Sequence, residues 1–241
     1  MRRTKEYKIE WQGRLEDQEF SDILFDELRV RNADLNGVVF RNVHFKNSQL
    51  GINSNYSDCV YMNCRFFGNY CSLGQSSKYT NCRFENCEFN GMDLFSGQHF
   101  HDCRLTGIMK NPILNDKHPK IKNNETVFKN CDLGEMIFDN VNIYGKNVFE
   151  NCILPNSGIR LFDNTNNKLF ERAEKYCGKI ETAAKNPSEV IFRNTIRQGQ
   201  NPIILDLLFL DSFFDTEDSK KIFEEIVLGF ELNTKKGHQE S

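Results

Sequence analysis

Residues 20–50 read FSDILFDELRVRNADLNGVVFRNVHFKNSQL, and in this stretch a large apolar residue returns every five positions. These residues are Phe20, Phe25, Val30, Leu35, Phe40, Phe45 and Leu50, and the pattern returns at Phe84, Phe89 and Leu94. A helix repeats its faces about every 3.6 residues and a strand about every 2. Neither element has a period of five, so the five-residue repeat is itself the structural unit.

A smaller apolar residue lies two positions before most of the large ones. Seven of the nine cysteines in the chain lie at this position: Cys59, Cys64, Cys82, Cys87, Cys103, Cys131 and Cys152. Ala33, Val38 and Val43 fill the same place elsewhere. The position therefore requires a modest apolar volume, which a free cysteine supplies.

The copies Ala33-Asp34-Leu35 and Cys131-Asp132-Leu133 resemble the consensus Ala-(Asp/Asn)-Leu-x-x of the pentapeptide-repeat proteins. This resemblance covers residues 20–160. It implies a mainly β fold, a right-handed quadrilateral β-helix in which four repeats make one turn of about 20 residues. Cys82 and Cys103, like Cys131 and Cys152, are separated by one such turn plus one residue, so we expect stacked cysteine pairs.

The five-residue phase is interrupted at several places. It shifts by one residue before Tyr56, again near Gly97 and again near Gly145. Residues 107–126 show no trace of the pattern. We expect bulges at the shifts and an excursion from the coil over 107–126.

A repeat coil needs a cover at each end. Tyr7, Ile9 and Trp11 alternate with charged residues, which is typical of a half-buried strand. Residues 1–19 are therefore predicted to form an N-terminal strand or cap, and Trp11 is interpreted as a lid on the first turn.

After Leu154 the pattern becomes helical. Helical spacing from Asn167 predicts a helix of about 15 residues, and two further apolar runs, 202–214 and 217–231, are interpreted as helices. Residues 165–232 are thus predicted to form a C-terminal α-helical module, and 233–241 a disordered tail.

Composition and charge narrow the class of protein. The chain has 241 residues and a formal net charge of −3, and no apolar run is long enough to cross a membrane. Arg2 and Arg3 are not followed by an apolar core, so no secretory signal is expected. Nine cysteines at mostly inward positions favour a reducing compartment, and we expect a cytoplasmic, bacterial protein.

No pattern indicates catalysis, a cofactor or a metal. His99, His101 and Cys103 form the densest group of potential ligands, but the alternation of a strand sends the histidines outward and Cys103 inward. Cys71 and Cys177 have no histidine nearby in sequence that could activate them. We therefore expect no catalytic, cofactor or metal site, and an enzyme with a site in the helical tail is the weakest alternative.

The favoured hypothesis is a non-enzymatic scaffold for protein–protein interaction. The resemblance also implies an alternative, because some pentapeptide-repeat proteins mimic DNA with an acidic face and bind DNA gyrase. Residues 20–160 contain equal numbers of acidic and basic residues, 15 of each, which does not favour an acidic rod. Direct nucleic-acid binding is not expected, because no basic stripe interleaved with aromatic residues occurs.

Two sets of residues are candidates for contact with a partner. The excursion combines positive charge with apolar residues, and a projecting loop suits recognition. The other interpretation is a solvated insertion without a partner, since surface loops readily accept extra length. Its candidate residues are Lys110, Ile113, Leu114, Lys117, His118, Lys120 and Lys122. The helical module has two interpretations: it covers the open C-terminal turn of the coil, or part of its surface forms a homodimer or docks a partner. It presents more apolar surface than one coil end can cover, which favours the second interpretation. Its candidate residues are Ile203, Leu207, Leu208, Phe223, Ile226 and Phe230.

Overall fold

The computed structural model describes residues 3–91, 95, 97–111, 113–115, 126–139, 141–144, 148–155, 159–177, 203–206 and 217–232. Strands dominate the described part of the chain. In chain order they are β1 (Thr4–Tyr7), β2 (Glu10–Glu16), β3 (Glu19–Ser21), β4 (Ile23–Asp26), β5 (Arg29–Asn36), β6 (Val39–Arg41), β7 (His44–Lys46), β8 (Gln49–Ile52), β9 (Asn55–Ser57), β10 (Val60–Met62), β11 (Arg65–Phe67), β12 (Ser77–Thr80), β13 (Arg83–Asn90), β14 (Gln98–His101), β15 (Arg104–Lys110), β16 (Ile113–Asn115), β17 (Val127–Lys129), β18 (Met136–Asp139), β19 (Asn142–Tyr144), β20 (Phe149–Glu150), β21 (Ile159–Phe162) and β22 (Ile203–Asp206). The helices are α1 (Lys168–Cys177), which follows a 3-10 turn at Thr165–Asn167, and α2 (Glu217–Val227).

The strands β1–β20 wind into a parallel β-helix of about six turns, which confirms the predicted fold class. Each strand pairs in parallel with strands one turn away, as Phe25 does with Phe45 and Phe45 with Phe66. The large repeat residues thereby stack into four inward columns, one for each side of the coil. The first is Phe20, Phe40, Tyr61, Phe84 and Leu105; the second is Phe25, Phe45, Phe66, Phe89, Met109 and Phe138; the third contains Trp11, Val30 and Leu50, with Leu114 and Ile143 farther along; and the fourth is Leu15, Leu35, Tyr56, Tyr79, Phe100, Phe128 and Phe149.

The corners of the coil explain why the repeat has five residues. At a corner the backbone turns through a left-handed conformation, which Asn and Asp tolerate better than other residues that carry a Cβ. Every repeat cysteine is directly preceded by such a residue: Asp58, Asn63, Asn81, Asn86, Asp102, Asn130 and Asn151, all with φ between 50° and 55°. The Asx-Cys pair is thus a corner followed by a small inward side chain.

The first phase shift is a bulge at one corner. The register between β5 and β8 shifts after Val30, and Gly51 at this point has a φ of 112°. In the next turn Gly74 passes so close to the Gly51 carbonyl that an added Cβ would lie within 3.0 Å of it. A buried hydroxyl then pairs with the carbonyl at the bulge, since Ser77 Oγ donates to Gly51 O over 2.6 Å. The shift expected before Tyr56 is therefore confirmed.

The predicted excursion over 107–126 is wrong at its start. Residues 107–110 belong to β15, which pairs with β13 and β18, and β16 pairs with β19. The coil continues, but the inward residues Leu105 and Met109 lie four positions apart instead of five, which hides the repeat. Gly107 makes this short corner feasible, because an added Cβ would lie within 3.0 Å of the Cys87 backbone. Residues 116–125 lie outside the described residues.

The predicted N-terminal cap is itself the first turn of the coil. β1 pairs with β4 and β2 with β5 in the same parallel register as the later turns. Trp11 is partly buried and stacks on Phe20 with ring centroids 4.9 Å apart. Tyr7 is exposed, because the left-handed Lys8 separates β1 from β2 and breaks the expected alternation.

The described part of the tail contains two helices and a two-stranded antiparallel sheet. The run from 202 was predicted to be helical, but Ile203–Asp206 is a strand that pairs with Ile159–Phe162. Two consecutive β-branched isoleucines favour a strand once a partner edge is available. The buried residues of the tail form their own cluster: Phe162, Leu169, Ala173, Ile203, Leu205, Phe223, Ile226 and Val227. Ile159 and Ile204 instead pack with the core of the coil.

Candidate protein-binding surface

The interior of the coil is filled by stacked aromatic rings. Phe40, Tyr61 and Phe84 lie parallel, with centroids 4.8 and 4.5 Å apart. Interiors packed in this way leave no room for a ligand. Recognition by this chain must therefore use the outer faces, the corners or the ends.

A groove of about 770 Å³ runs along the outside of the coil beside the short corner at Gly107. One residue fewer separates the inward side chains Leu105 and Met109 on either side of this corner. We call this surface the corner groove; its lining includes His44, Asn63, Arg65, Asn86, Glu88, Thr106, Gly107, Ile108, Glu135 and Ile137.

The floor of the corner groove is apolar. Ile108 and Ile137 stand in register on neighbouring strands, β15 and β18, on the outer face. Ile108 is partly buried, whereas Ile137 is 57% exposed. An isoleucine this exposed beside another apolar residue is the kind of side chain that contributes to a protein interface.

Charged residues along the corner groove are compensated by their neighbours. The Glu88 carboxylate forms ion pairs with Arg65 Nε over 3.0 Å and with Lys110 Nζ over 3.5 Å. Glu135 Oε1 forms an ion pair with Arg104 Nη2 over 2.8 Å. The groove thus has ordered polar walls without a strong field of either sign, an arrangement typical of a polar rim around an apolar centre.

His44 adds a neutral imidazole to one end of the corner groove. Its ring meets Phe67 edge-on at 6.0 Å. Burial lowers the pKa of His44, and the positive charges of Arg3 and Arg65 lower it further. At neutral pH the ring is therefore uncharged and available as a hydrogen-bonding group.

The structure places three residues of the predicted recognition loop in the coil wall. Leu114 is fully buried in an inward column, so it cannot contact a partner. Ile113 is half-buried in β16, and Lys110 pairs with Glu88 at the corner groove. The other candidates, Lys117, His118, Lys120 and Lys122, lie outside the described residues.

Several residues predicted for self-association lie inside the tail. Ile203, Phe223 and Ile226 are buried within the tail cluster. Phe230 is partly buried, with the Arg172 guanidinium 5.5 Å from its ring centroid. Leu207 and Leu208 lie outside the described residues. The exposed apolar residues of the described tail are Leu228 and Leu232.

The histidine and cysteine group does not converge. His99 and His101 flank the inward Phe100 on the outer face, with their rings 6.4 Å apart, whereas Cys103 is buried in the coil. Within the described ranges, no cluster of three or more His, Cys, Asp or Glu side chains is placed to hold a metal ion. Nor is any helix in the same ranges long and apolar enough to span a membrane.

Sequence reasoning missed the corner groove. The available signal was the spacing of four between Leu105 and Met109 with a glycine between them. A four-residue step in a five-residue repeat indicates a corner that is one residue shorter, and Gly107 at this corner lines the groove.

These features define the fold: the chain is a parallel β-helix whose filled inward columns and Asx corners are like those of pentapeptide-repeat β-helices. No protein-family model matches the chain, and no curated protein matches it. Similar solved structures share little sequence with it. Trypsin-treated QnrB1, described as a plasmid-mediated fluoroquinolone resistance protein, is 11% identical over 63% of this chain and 84% of that chain, with a TM-score of 0.31.

Two more solved structures give similar values. HetL, a pentapeptide-repeat protein involved in heterocyst differentiation regulation from the cyanobacterium Nostoc sp. strain PCC 7120, is 8% identical over 64% of this chain and 90% of that chain, with a TM-score of 0.24. Full-length QnrB1 is 12% identical over 61% and 87%, with a TM-score of 0.22. At these values the likeness carries no argument about function, which must come from this chain's own surface.

Proposed function

We propose that the protein is a non-enzymatic scaffold that binds another protein through the corner groove. The observation that carries this proposal is the exposed Ile137 beside Ile108, in a recess whose charged walls are already paired. A rigid coil pre-organises such a patch, so little side-chain or backbone ordering opposes binding.

A matched pair of variants tests the corner groove. Ile137→Glu places a charge in the groove, whereas Ile153→Glu places the same charge at an isoleucine that is 58% exposed on another side of the coil. Each variant and the wild-type chain would be immobilised and exposed to lysate of the native cell, and bound proteins would be quantified by mass spectrometry. We expect at least one protein to be captured by the wild type and by Ile153→Glu, and to be reduced at least about tenfold by Ile137→Glu.

Equal capture by both variants would contradict the proposal, because recognition would then not depend on the groove. Capture that instead depends on residues 116–125 would assign recognition to the predicted loop. A variant with Lys117, Lys120 and Lys122 all changed to Gln would show this result. Circular dichroism of each variant confirms that the coil is intact before capture is compared.

For the tail we propose a role in covering the coil end and in self-association or partner docking. Ile159 and Ile204 already pack with the coil core, which supports covering. The exposed Leu228 and Leu232 remain available to a second molecule. Light scattering at micromolar concentration should give twice the mass of one chain, reduced to a single mass by Leu228→Glu. A single chain's mass for the wild type would contradict self-association.

DNA gyrase is the alternative partner, and the corner chemistry bears on it. The column Asp58, Asn81, Asp102, Asn130 and Asn151 contains two carboxylates and three amides. Asn81 Nδ2 donates to Asp58 Oδ1 over 2.5 Å, and Asn130 Nδ2 donates to Asp102 Oδ1 over 3.1 Å. Such a column has far less negative charge than a DNA backbone, so mimicry of DNA is less favoured than groove binding. A supercoiling assay with purified gyrase would support the alternative if the chain inhibited or protected the enzyme.

The compartment proposed for this activity is a reducing one. The eight cysteines that the structure describes are free thiols, and seven of them are buried. Chains with many buried free thiols persist where disulfides do not form, as in the cytoplasm.

A further inference from the structure

Five cysteines form one continuous column inside the coil. Cys59, Cys82, Cys103, Cys131 and Cys152 each precede a strand or bridge that is in register with the next turn. Neighbouring strands lie about 4.8 Å apart. Each thiol is close enough to the next one along the column for the two to shift each other's pKa. The two pairs expected from sequence are thus parts of a single thiol ladder.

The last member of the thiol ladder keeps partial access to solvent beside the tail residues that pack on the coil end. Its first four members are buried, with at most 2% of their surface exposed, whereas Cys152 is only partly buried. Cys152 also lies in the last described turn of the coil, which is held by the short strand β20 and a single bridge at Ile153. Terminal turns of this kind open more easily than interior ones. An oxidant therefore reaches Cys152 before it reaches any other member.

Cys131 is placed to react with an oxidised Cys152. Its backbone N–H donates to Cys152 Sγ over 3.4 Å, so the Cys152 sulfur lies directly beside the Cys131 backbone. Adjacent strands hold the two Cα atoms within the range of 4.4 to about 6.8 Å that a disulfide spans. Only a small approach of the terminal strand is required to join the two sulfurs.

We propose that Cys152 is the peroxide-reactive site of the thiol ladder and that Cys131 is its resolving partner. In the first step the Cys152 sulfur attacks peroxide. A sulfur–oxygen bond forms, the oxygen–oxygen bond breaks, and one water leaves. In the second step the Cys131 sulfur attacks the sulfenic sulfur, the sulfur–oxygen bond breaks, and a second water leaves with the thiol protons. Two thiols are oxidised and one peroxide is reduced to two waters.

The column then permits the disulfide to move inward. Thiol–disulfide exchange requires a thiolate to attack in line with the sulfur–sulfur bond. Cys103 lies on the far side of Cys131 from Cys152, which is the in-line direction. Its attack on the Cys131 sulfur forms the Cys103–Cys131 bond, and Cys152 leaves and recovers a proton. The exposed site is thereby regenerated without a further oxidant.

Both terminal thiols are protonated at neutral pH. The neighbouring Cys103 thiol raises the pKa of Cys131 to about 12, and the Cys131 thiol and burial raise the pKa of Cys152. Since the thiolate is the reactive form, oxidation of these two thiols is slow and must be followed over time.

The chain contains its own control. Cys64 and Cys87 form a second, shorter column in which the thiols are in contact but neither is more than 2% exposed. If contact alone determined oxidation, this pair would react as readily as Cys131 and Cys152. If exposure at one end determines it, Cys64 and Cys87 stay reduced in the folded protein.

The test is residue-level mapping of oxidation in the full folded chain. The protein would be treated with one equivalent of hydrogen peroxide, quenched by alkylation at intervals, digested without reduction and analysed by mass spectrometry. We expect the Cys131–Cys152 disulfide to appear first, at least about tenfold faster than any Cys64–Cys87 disulfide. The Cys103–Cys131 disulfide with alkylated Cys152 should follow. Cys152→Ser should reduce oxidation of Cys131 and Cys103 at least about tenfold while leaving the fold intact.

Three results would overturn the proposal. Equal rates for the two columns would show that the open end is not the entry point. Unchanged oxidation of Cys131 in Cys152→Ser would show that Cys152 is not the reactive site. Persistence of Cys131–Cys152 with no Cys103–Cys131 product would rule out the inward step. If Cys152→Ser proved unstable by circular dichroism, Cys152→Ala would take its place with the same criterion.

Discussion

Asn130 gives the sharpest test of how the corners hold the coil together. It has a φ of 54° and is exposed at the surface. Its Nδ2 donates to Asp102 Oδ1 over 3.1 Å, and its Oδ1 accepts from Asn151 Nδ2 over 2.9 Å. It therefore contributes both through its backbone conformation and through two side-chain hydrogen bonds.

The two contributions can be separated with two substitutions. Asn130→Ala imposes the left-handed penalty of about 1 kcal/mol or more and removes both hydrogen bonds. Exposed hydrogen bonds contribute roughly 0.5 kcal/mol each at the low end of their range, so the total loss should be about 2 kcal/mol. Asn130→Gly removes the same hydrogen bonds but relieves the backbone, so we expect a loss of about 1 kcal/mol or less.

Asn55 supplies the control. It lies in strand β9 and donates to Asp34 Oδ1 over 2.8 Å, but it has no left-handed backbone to maintain. Asn55→Ala should therefore cost less than about 1 kcal/mol. Urea unfolding of the four proteins measures these differences. If Asn130→Ala were no worse than Asn130→Gly, or no worse than Asn55→Ala, the corner argument would be refuted.

Three further outcomes follow from the described geometry. Gly107→Ala should destabilise the coil by at least about 2 kcal/mol in urea, because its Cβ would overlap backbone of the neighbouring turn. Gly13→Ala, with no atom within 4 Å of the added Cβ, should cost less and would contradict the overlap argument if it cost the same. Phe84→Ala, in the aromatic column, should cost about 3–5 kcal/mol, whereas Tyr70→Ala at a 73% exposed site should change stability by less than about 0.5 kcal/mol. Burial alone would raise the pKa of Asp26, but the hydrogen bonds and charges of two lysines outweigh it and hold the pKa below its usual value. The stability that this pairing contributes is thus present above about pH 3.9 and is lost as the pH falls below it, so Asp26→Asn should flatten the stability profile there.

The repeating coil could be predicted from the sequence because the spacing of the large residues matches their stacking in the structure. Phe25, Phe45 and Phe66 return at the spacing that stacks them, and the small residue two positions earlier faces inward with them. The Asn or Asp before each repeat cysteine is also present in the sequence at every copy, and its left-handed backbone explains the five-residue spacing of the repeat.

The corner groove could not be recognised in the same way. A single missing residue between Leu105 and Met109 removes the five-residue signal, and the stretch looks like an excursion although its strands stay paired. A sequence period identifies repeats of equal length, but it is lost where one repeat is a residue shorter. Only the hydrogen-bonded register shows that the coil continues through Gly107.

The tail shows the opposite limitation. Ile203 and Ile204 belong to an apolar run of helical appearance, yet they form a strand against Ile159–Phe162. A short apolar run does not distinguish a helix from a strand, and the pairing partner lies about 40 residues earlier in the chain. The pairing with this distant segment therefore determines that Ile203 and Ile204 form a strand.

Binding at the corner groove is tested most directly by hydroxyl-radical footprinting of the full chain with and without its captured partner. The method reports the solvent exposure of individual side chains. We expect oxidation of Ile137 and Ile108 to fall severalfold on binding, while that of Ile153, equally exposed on another side, stays unchanged. Protection of Ile153 with Ile137 still fully reactive would contradict groove binding.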